Sequence, residues 1–148
     1  MIAMLPLFFA LCGLRAGADP LEATGVIGLQ LKAAVDALGL PQSMFTYRGT
    51  DPTQDDVVFF YPADHMYLFW YKDRVWQVRY DRRATAVVHG VSVGMSRAAV
   101  EAAVPGRPLV ADGDSLYVDL DSASFPTRMR IVFAEDTVTD LYVYRSDF

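Results

Sequence analysis

Met66-Tyr67-Leu68-Phe69-Trp70-Tyr71-Lys72-Asp73-Arg74-Val75-Trp76-Gln77-Val78 decides how the rest of the chain is read. Aromatic and β-branched residues fill both arms, and Lys72-Asp73-Arg74 separates them with a polar turn. Two strand-forming runs around a short polar turn predict an antiparallel hairpin. At an offset of 63 the pattern returns as Met129-Arg130-Ile131-Val132-Phe133-Ala134-Glu135-Asp136-Thr137-Val138-Thr139-Asp140-Leu141, with Glu135-Asp136-Thr137 as the turn.

Working outward, Val57 to Tyr61 adds a strand before the first hairpin, and Leu116 to Leu120 adds one before the second. The strands of the second hairpin run from Arg128 to Ala134 and from Val138 to Tyr144. Ala84 to His89 reads as a linker or a short extra strand. Upstream of each group lies a short helical pattern. Leu31, Ala34, Val35 and Leu38 fall at i, i+3, i+4 and i+7, and Gly39 and Pro41 end the run. Ala99, Val100, Ala103 and Val104 form the second stripe, with Ser96 as N-cap and Pro105-Gly106 as the stop. Ala33-Ala34-Val35-Asp36-Ala37 and Ala98-Ala99-Val100-Glu101-Ala102 match at an offset of 65. Internal similarity in two ordered blocks predicts two tandem units. The expected fold is therefore α+β: two tandem helix plus antiparallel β-meander repeats, residues 19–83 and 84–148. They share a sheet of six to eight strands with the helices packed on one face.

Alternation along a strand assigns its two faces. Met66, Leu68, Trp70, Val78 and Tyr80, with Met129, Ile131, Phe133, Leu141 and Val143, form an apolar set that belongs to the helix-covered core. The opposite set contains Tyr67, Phe69, Tyr71, Arg79, Arg130, Tyr142 and Tyr144. Tyrosine, phenylalanine and arginine are enriched at protein interfaces, and an aromatic sheet face without a helix over it asks for a partner. These seven residues are the candidate binding surface.

Gly90-Val91-Ser92-Val93-Gly94-Met95-Ser96-Arg97-Ala98-Ala99-Val100-Glu101 resembles the helix entry of a bacterial envelope superfamily, the SmpA/OmlA (BamE-like) and β-lactamase-inhibitor-protein-like proteins. Phe133-Ala134-Glu135-Asp136-Thr137-Val138 resembles its closing hairpin, with Thr137 in place of a glycine. The tandem arrangement is more similar to the inhibitor type than to the single-unit lipoproteins. The resemblance covers most of residues 25–148 and implies a fold. The inhibitor's cysteines are absent, so β-lactamase inhibition is not carried over.

Residues 1–18 read as a signal peptide. Met1 to Leu14 carries no charge, and Ala16-Gly17-Ala18 has the small-x-small form of a cleavage site. Cleavage there removes Arg15 and the only cysteine, Cys12, and takes the formal charge from −5 to −6. Phe9-Ala10-Leu11-Cys12 also resembles a lipobox, which makes Cys12 the candidate lipidation site.

The 148 residues are 53% hydrophobic and 21% charged, a balance that supports a folded core rather than disorder. A net charge of −5 without a basic block argues against nucleic-acid binding. His65 and His89 lie in no ligand pattern, and the Asp112-Gly113-Asp114 and Asp119-x-Asp121 groups lack EF-hand spacing. Ser96 lies in no nucleophile elbow. No catalytic residue, cofactor or metal is expected.

The sequence thus predicts an exported bacterial envelope protein, periplasmic or secreted. It would act as a non-enzymatic protein-binding or inhibitor-like module on an unidentified envelope or extracellular protein. Two alternatives stand beside this: a lipid-anchored outer-membrane assembly or envelope-maintenance factor, touching the membrane if Cys12 is acylated, and a small hydrolase, for which no residues are found.

Overall fold

The computed structural model describes residues 23–49, 56–121 and 124–147. The expected signal peptide and Cys12 lie outside the described residues. The element order is α1 (Ala23–Val26), α2 (Leu31–Leu38), β1 (Ser43–Tyr47), β2 (Asp56–Tyr61), β3 (Met66–Tyr71), β4 (Arg74–Tyr80), β5 (Val87–Val88), β6 (Val91–Ser92), α3 (Arg97–Ala103), β7 (Leu109–Asp112), β8 (Ser115–Leu120), β9 (Thr127–Ala134) and β10 (Thr137–Arg145).

The expected α+β class of two helix–meander repeats is corrected. The protein is mostly β, with 49% of the described residues in strands and 16% in helices. One antiparallel sheet of eight strands, ordered β1-β2-β3-β4-β10-β9-β8-β7, dominates; β5 and β6 form a separate two-stranded ribbon. The physical reason lies in two strands absent from the expectation and in a seam. β1 and β7 extend the sheet at its edges, and β4 pairs with β10 through Leu141↔Tyr80, Tyr142↔Arg79, Val143↔Val78 and Tyr144↔Gln77. The three helices are short. Their fully buried contribution to the core is Val26, Ala34 and Val100.

The hairpins form for local reasons. Lys72 and Asp73 have φ of 46° and 63°, and Glu135 and Asp136 have φ of 49° and 66°. Two left-handed central residues are what a type I′ loop requires, and its twist matches the flanking strands. The β3–β4 and β9–β10 ladders each carry an irregularity, between Phe69/Trp70 and Val138/Asp140. Helix α3 is capped as its sequence predicts: Ser96 Oγ accepts from the Ala99 N–H at 3.3 Å. Helix α2 has no side-chain cap and closes through Gly39, whose N–H donates to Val35 O.

Helices α2 and α3 are each tied to a hairpin by the approach loop. Gly28 N–H donates to Val75 O at 2.7 Å and Val75 N–H to Leu29 O at 3.0 Å. Gly94 N–H donates to Val138 O, and Val138 N–H to Met95 O, both at 2.9 Å. A side chain at Gly28 would strike the ring of Phe125.

The core is the face that alternation assigns. Leu68, Val78, Met129, Ile131, Leu141 and Val143 are wholly buried, with Met66, Trp70, Tyr80 and Phe133 close behind. Phe59 packs on Trp70 at 5.0 Å between ring centroids. Among the described residues no helix is long and apolar enough to cross a membrane.

Candidate binding groove

The other face of the sheet carries a groove of about 720 Å³. All seven residues singled out by alternation line it: Tyr67, Phe69, Tyr71, Arg79, Arg130, Tyr142 and Tyr144. The sheet curves around it, because Phe45 and Tyr47 of β1 share the lining with Tyr117 of β8.

Strand register builds its floor. Directly opposed positions run Ser43, Phe60, Tyr67, Arg79, Tyr142, Arg130, Tyr117 and Val110 across all eight strands. The five central members alternate tyrosine and arginine. Their span is four strand spacings, about 19 Å along the sheet. Arg79 lies 5.3 Å from the Tyr67 ring centroid and 5.6 Å from that of Tyr142. Arg130 lies 5.7 Å from Tyr142 and 5.9 Å from Tyr117. These are cation–π distances. Phe60 stacks on Tyr67 at 4.5 Å.

A second row holds Phe45, Val58, Phe69, Gln77, Tyr144, Arg128 and Asp119. Here one of the seven candidate residues departs from an open, helix-free face. Phe69 is 7% exposed and Val58 is sealed. Tyr47 and Trp76 meet Phe69 edge-on at 6.1 and 6.5 Å and cover it. The other six residues of the candidate surface are half-buried.

Polar partners fix the arginines. Arg79 Nε donates to Asp140 Oδ1 at 2.9 Å, and its Nη2 reaches the same oxygen. Arg130 Nε donates to Ser115 Oγ at 3.0 Å, while Asp114 Oδ1 stays 4.0 Å from its Nη2 and largely exposed. Burial works against the charge of Arg79, but its hydrogen bond to Asp140 and the electrostatic influence of Tyr142, Asp140 and Tyr67 together outweigh it, so the guanidinium holds its proton more firmly than usual. Burial pushes the Tyr142 hydroxyl up; Asp140 and Tyr47 add to this, and Arg79 and Arg130 oppose it. Burial also raises Tyr144, with Tyr117 adding and Arg128 and Arg130 opposing. Both hydroxyls therefore remain protonated donors at neutral pH. At one end of the groove, Asp81 accepts from the Tyr67 hydroxyl at 3.0 Å and from the Arg83 N–H at 2.8 Å. His65 Nδ1 is 3.4 Å from Asp81 Oδ1.

Phe45, Tyr47, Trp76, Tyr117 and Asp56 line the groove without having been singled out in the sequence. Tyr117 carried a signal, since it alternates with Leu116, Val118 and Leu120 in a strand already read. Phe45 and Tyr47 sit in Ser43–Tyr47, a β-branched and aromatic run whose strand character went unread. Trp76 sits at the β3–β4 irregularity, where simple alternation loses phase, and its indole N–H donates to Asp56 Oδ1 at 2.9 Å. His65 and His89 are turn residues with φ of 47° and 48°. No group of three or more potential metal ligands occurs among the described residues.

No protein-family model and no curated protein matches the chain. Among solved structures it is similar to an extracellular protein containing a SCP domain from Bacillus anthracis str. Ames, with a TM-score of 0.57 and 9% identity over 95% of this chain and 51% of that one. It is also similar to a cysteine-rich secretory protein from Staphylococcus aureus subsp. aureus Mu50, with a TM-score of 0.52 and 13% identity over 87% of this chain and 48% of that one. The chain thus spans about half the length of each. At these identities the likeness is one of fold. It overturns the expected kinship with the SmpA/OmlA and β-lactamase-inhibitor-like proteins: the similar structures are SCP-type secretory proteins, and one large sheet replaces the repeated helix–meander unit.

Proposed function

We propose that the protein is an exported, non-enzymatic binding module that holds a partner protein in the tyrosine–arginine groove. One observation carries the reading: five directly opposed residues, Tyr67, Arg79, Tyr142, Arg130 and Tyr117, form a continuous row on the face opposite the hydrophobic core. Such side chains give large, rigid contact area with polar tips, which suits recognition. The groove's acids are engaged in holding its own cations and indole, Asp140 on Arg79 and Asp56 on Trp76. That is an architecture for presenting a surface rather than for acid–base chemistry. Export draws support from the leader-like residues 1–18 and from the extracellular protein whose fold the chain shares.

Capture with the immobilised protein from bacterial culture medium and envelope extract tests this. A protein retained by the wild type should be lost with Tyr142→Ala and kept with Val87→Ala, which alters an exposed side chain of β5 outside the groove. Equal retention by all three would overturn the groove as the binding surface.

A further inference from the structure

Two rings at the centre of the groove, Tyr142 and Tyr67, have neighbours on both sides. Tyr142 has a guanidinium toward each face, at 5.6 and 5.7 Å, and Tyr67 is flanked by Phe60 at 4.5 Å and Arg79 at 5.3 Å. A ligand that binds by stacking, such as a sugar ring, would have to displace these neighbours. The row instead combines ring edges and hydroxyls with the two guanidiniums, so its polar groups are mainly donors. An acceptor-rich, anionic ligand complements it.

The charges locate the anchor. Arg79 is neutralised by Asp140, and Arg128 by Asp119 at 2.7 Å. Arg130 donates to Ser115 Oγ, whose hydroxyl in turn donates to Asp114 Oδ1 at 2.9 Å, and Asp114 itself stands 4.0 Å from Arg130 Nη2 and is largely exposed, so Arg130 is the more loosely paired of these guanidiniums. A guanidinium whose own carboxylate is distant and solvent-exposed is where a ligand carboxylate competes most readily. Tyr142 and Tyr117 stand directly opposite Arg130 on the neighbouring strands, their rings 5.7 and 5.9 Å from its guanidinium, and Tyr144 lines the same groove.

We infer that the groove binds an acidic peptide segment, with a Glu or Asp carboxylate on Arg130 among the hydroxyls of Tyr117, Tyr142 and Tyr144. The inference rests on the groove being the binding surface and adds the chemistry of its occupant. A row about 19 Å long accommodates five to six residues of extended peptide. The remaining side chains of such a segment meet Phe45, Tyr47 and Tyr71 along the wall.

Fluorescence anisotropy with dye-labelled octaglutamate as the probe tests it, with octaglutamine and an oligogalacturonate as comparison probes. Octaglutamate should bind, weaken as salt rises, and lose at least about tenfold in affinity with Arg130→Gln. Arg130→Lys should recover part of that loss, since it keeps the charge without the planar fork. Tyr142→Phe removes only a hydroxyl and serves should Arg130→Gln fail to fold; it too should weaken octaglutamate. Equal binding of octaglutamine, indifference to both substitutions, or Arg130-dependent binding of oligogalacturonate without octaglutamate would each overturn the inference. If octaglutamate fails while Tyr142→Ala still abolishes partner capture, the acidic-peptide inference falls and the groove reading stands. If Tyr142→Ala changes neither, both fall.

Discussion

Val58 and Phe69 face each other across the β2–β3 ladder, both buried, on the side of the sheet away from the main core. They make a small second core beneath the groove, roofed by Tyr47 and Trp76. The groove floor is thus packed rather than merely decorated. Its shape depends on apolar contacts a ligand never touches.

Phe69→Ala should therefore behave as a core substitution and cost roughly 3–5 kcal/mol. Chemical denaturation should show a lower midpoint with an unchanged slope. A loss under about 1 kcal/mol would mean that Phe69 lies open after all.

The Arg79–Asp140 pair should show real coupling. Its side chains are 34% and 18% exposed and joined by two hydrogen bonds, whereas Arg128–Asp119 is 41% and 71% exposed. A double-mutant cycle with Arg79→Ala and Asp140→Ala should return about 1.5–3 kcal/mol. The same cycle on Arg128 and Asp119 should return under about 1 kcal/mol.

Acid should weaken the fold through Asp81. Burial alone would raise its pKa, but the Arg83 N–H, the Tyr67 hydroxyl and His65 outweigh it and hold the carboxyl below its ordinary 3.8. The folded state therefore binds the proton less readily than the unfolded chain. The stabilisation is present above about pH 4 and fades as pH falls through the depressed value. Asp81→Asn should flatten the stability profile in that window and leave its shape above pH 5 nearly unchanged.

Alkali should act through Tyr80. Burial, with a smaller contribution from Asp64, pushes its hydroxyl up to about 12. Its stabilisation is complete below about pH 10 and is lost as pH climbs towards 12. Tyr80→Phe should reduce the alkaline slope of the melting temperature. It should not abolish it, because Tyr61, Tyr67, Tyr142 and Tyr144 are raised as well.

The central strands were legible because two simple rules coincide in them. From Met66 to Tyr71, alternation separates core from groove; at 72–73 and 135–136, polar pairs interrupt the strands where the chain turns. The groove's middle followed from the same alternation in β3, β4, β9 and β10. The edges did not. β1 is exposed along its whole length and shows no buried face for a hydrophobic pattern to report, and β7 is nearly as exposed. The overall class was misjudged because short helical stripes look as weighty in sequence as strands, while pairing between distant strands leaves no local mark. The Trp76 position was hidden by the irregularity in its own ladder.

The β4–β10 seam has a kinetic consequence. Its partners stand about sixty residues apart, whereas the β3–β4 and β9–β10 ladders close over two-residue turns. Hairpins of that kind assemble in microseconds, but a distant pairing must first pay for closing a long loop. The two hairpins should be early structure and their zipping together the slow, committing event. Substitutions at Val78 or Val143, on the seam, should then report in refolding rates whether that joining belongs to the transition state or follows it. Until it occurs, Arg79 and Tyr142 are on separate pieces, and the groove does not exist.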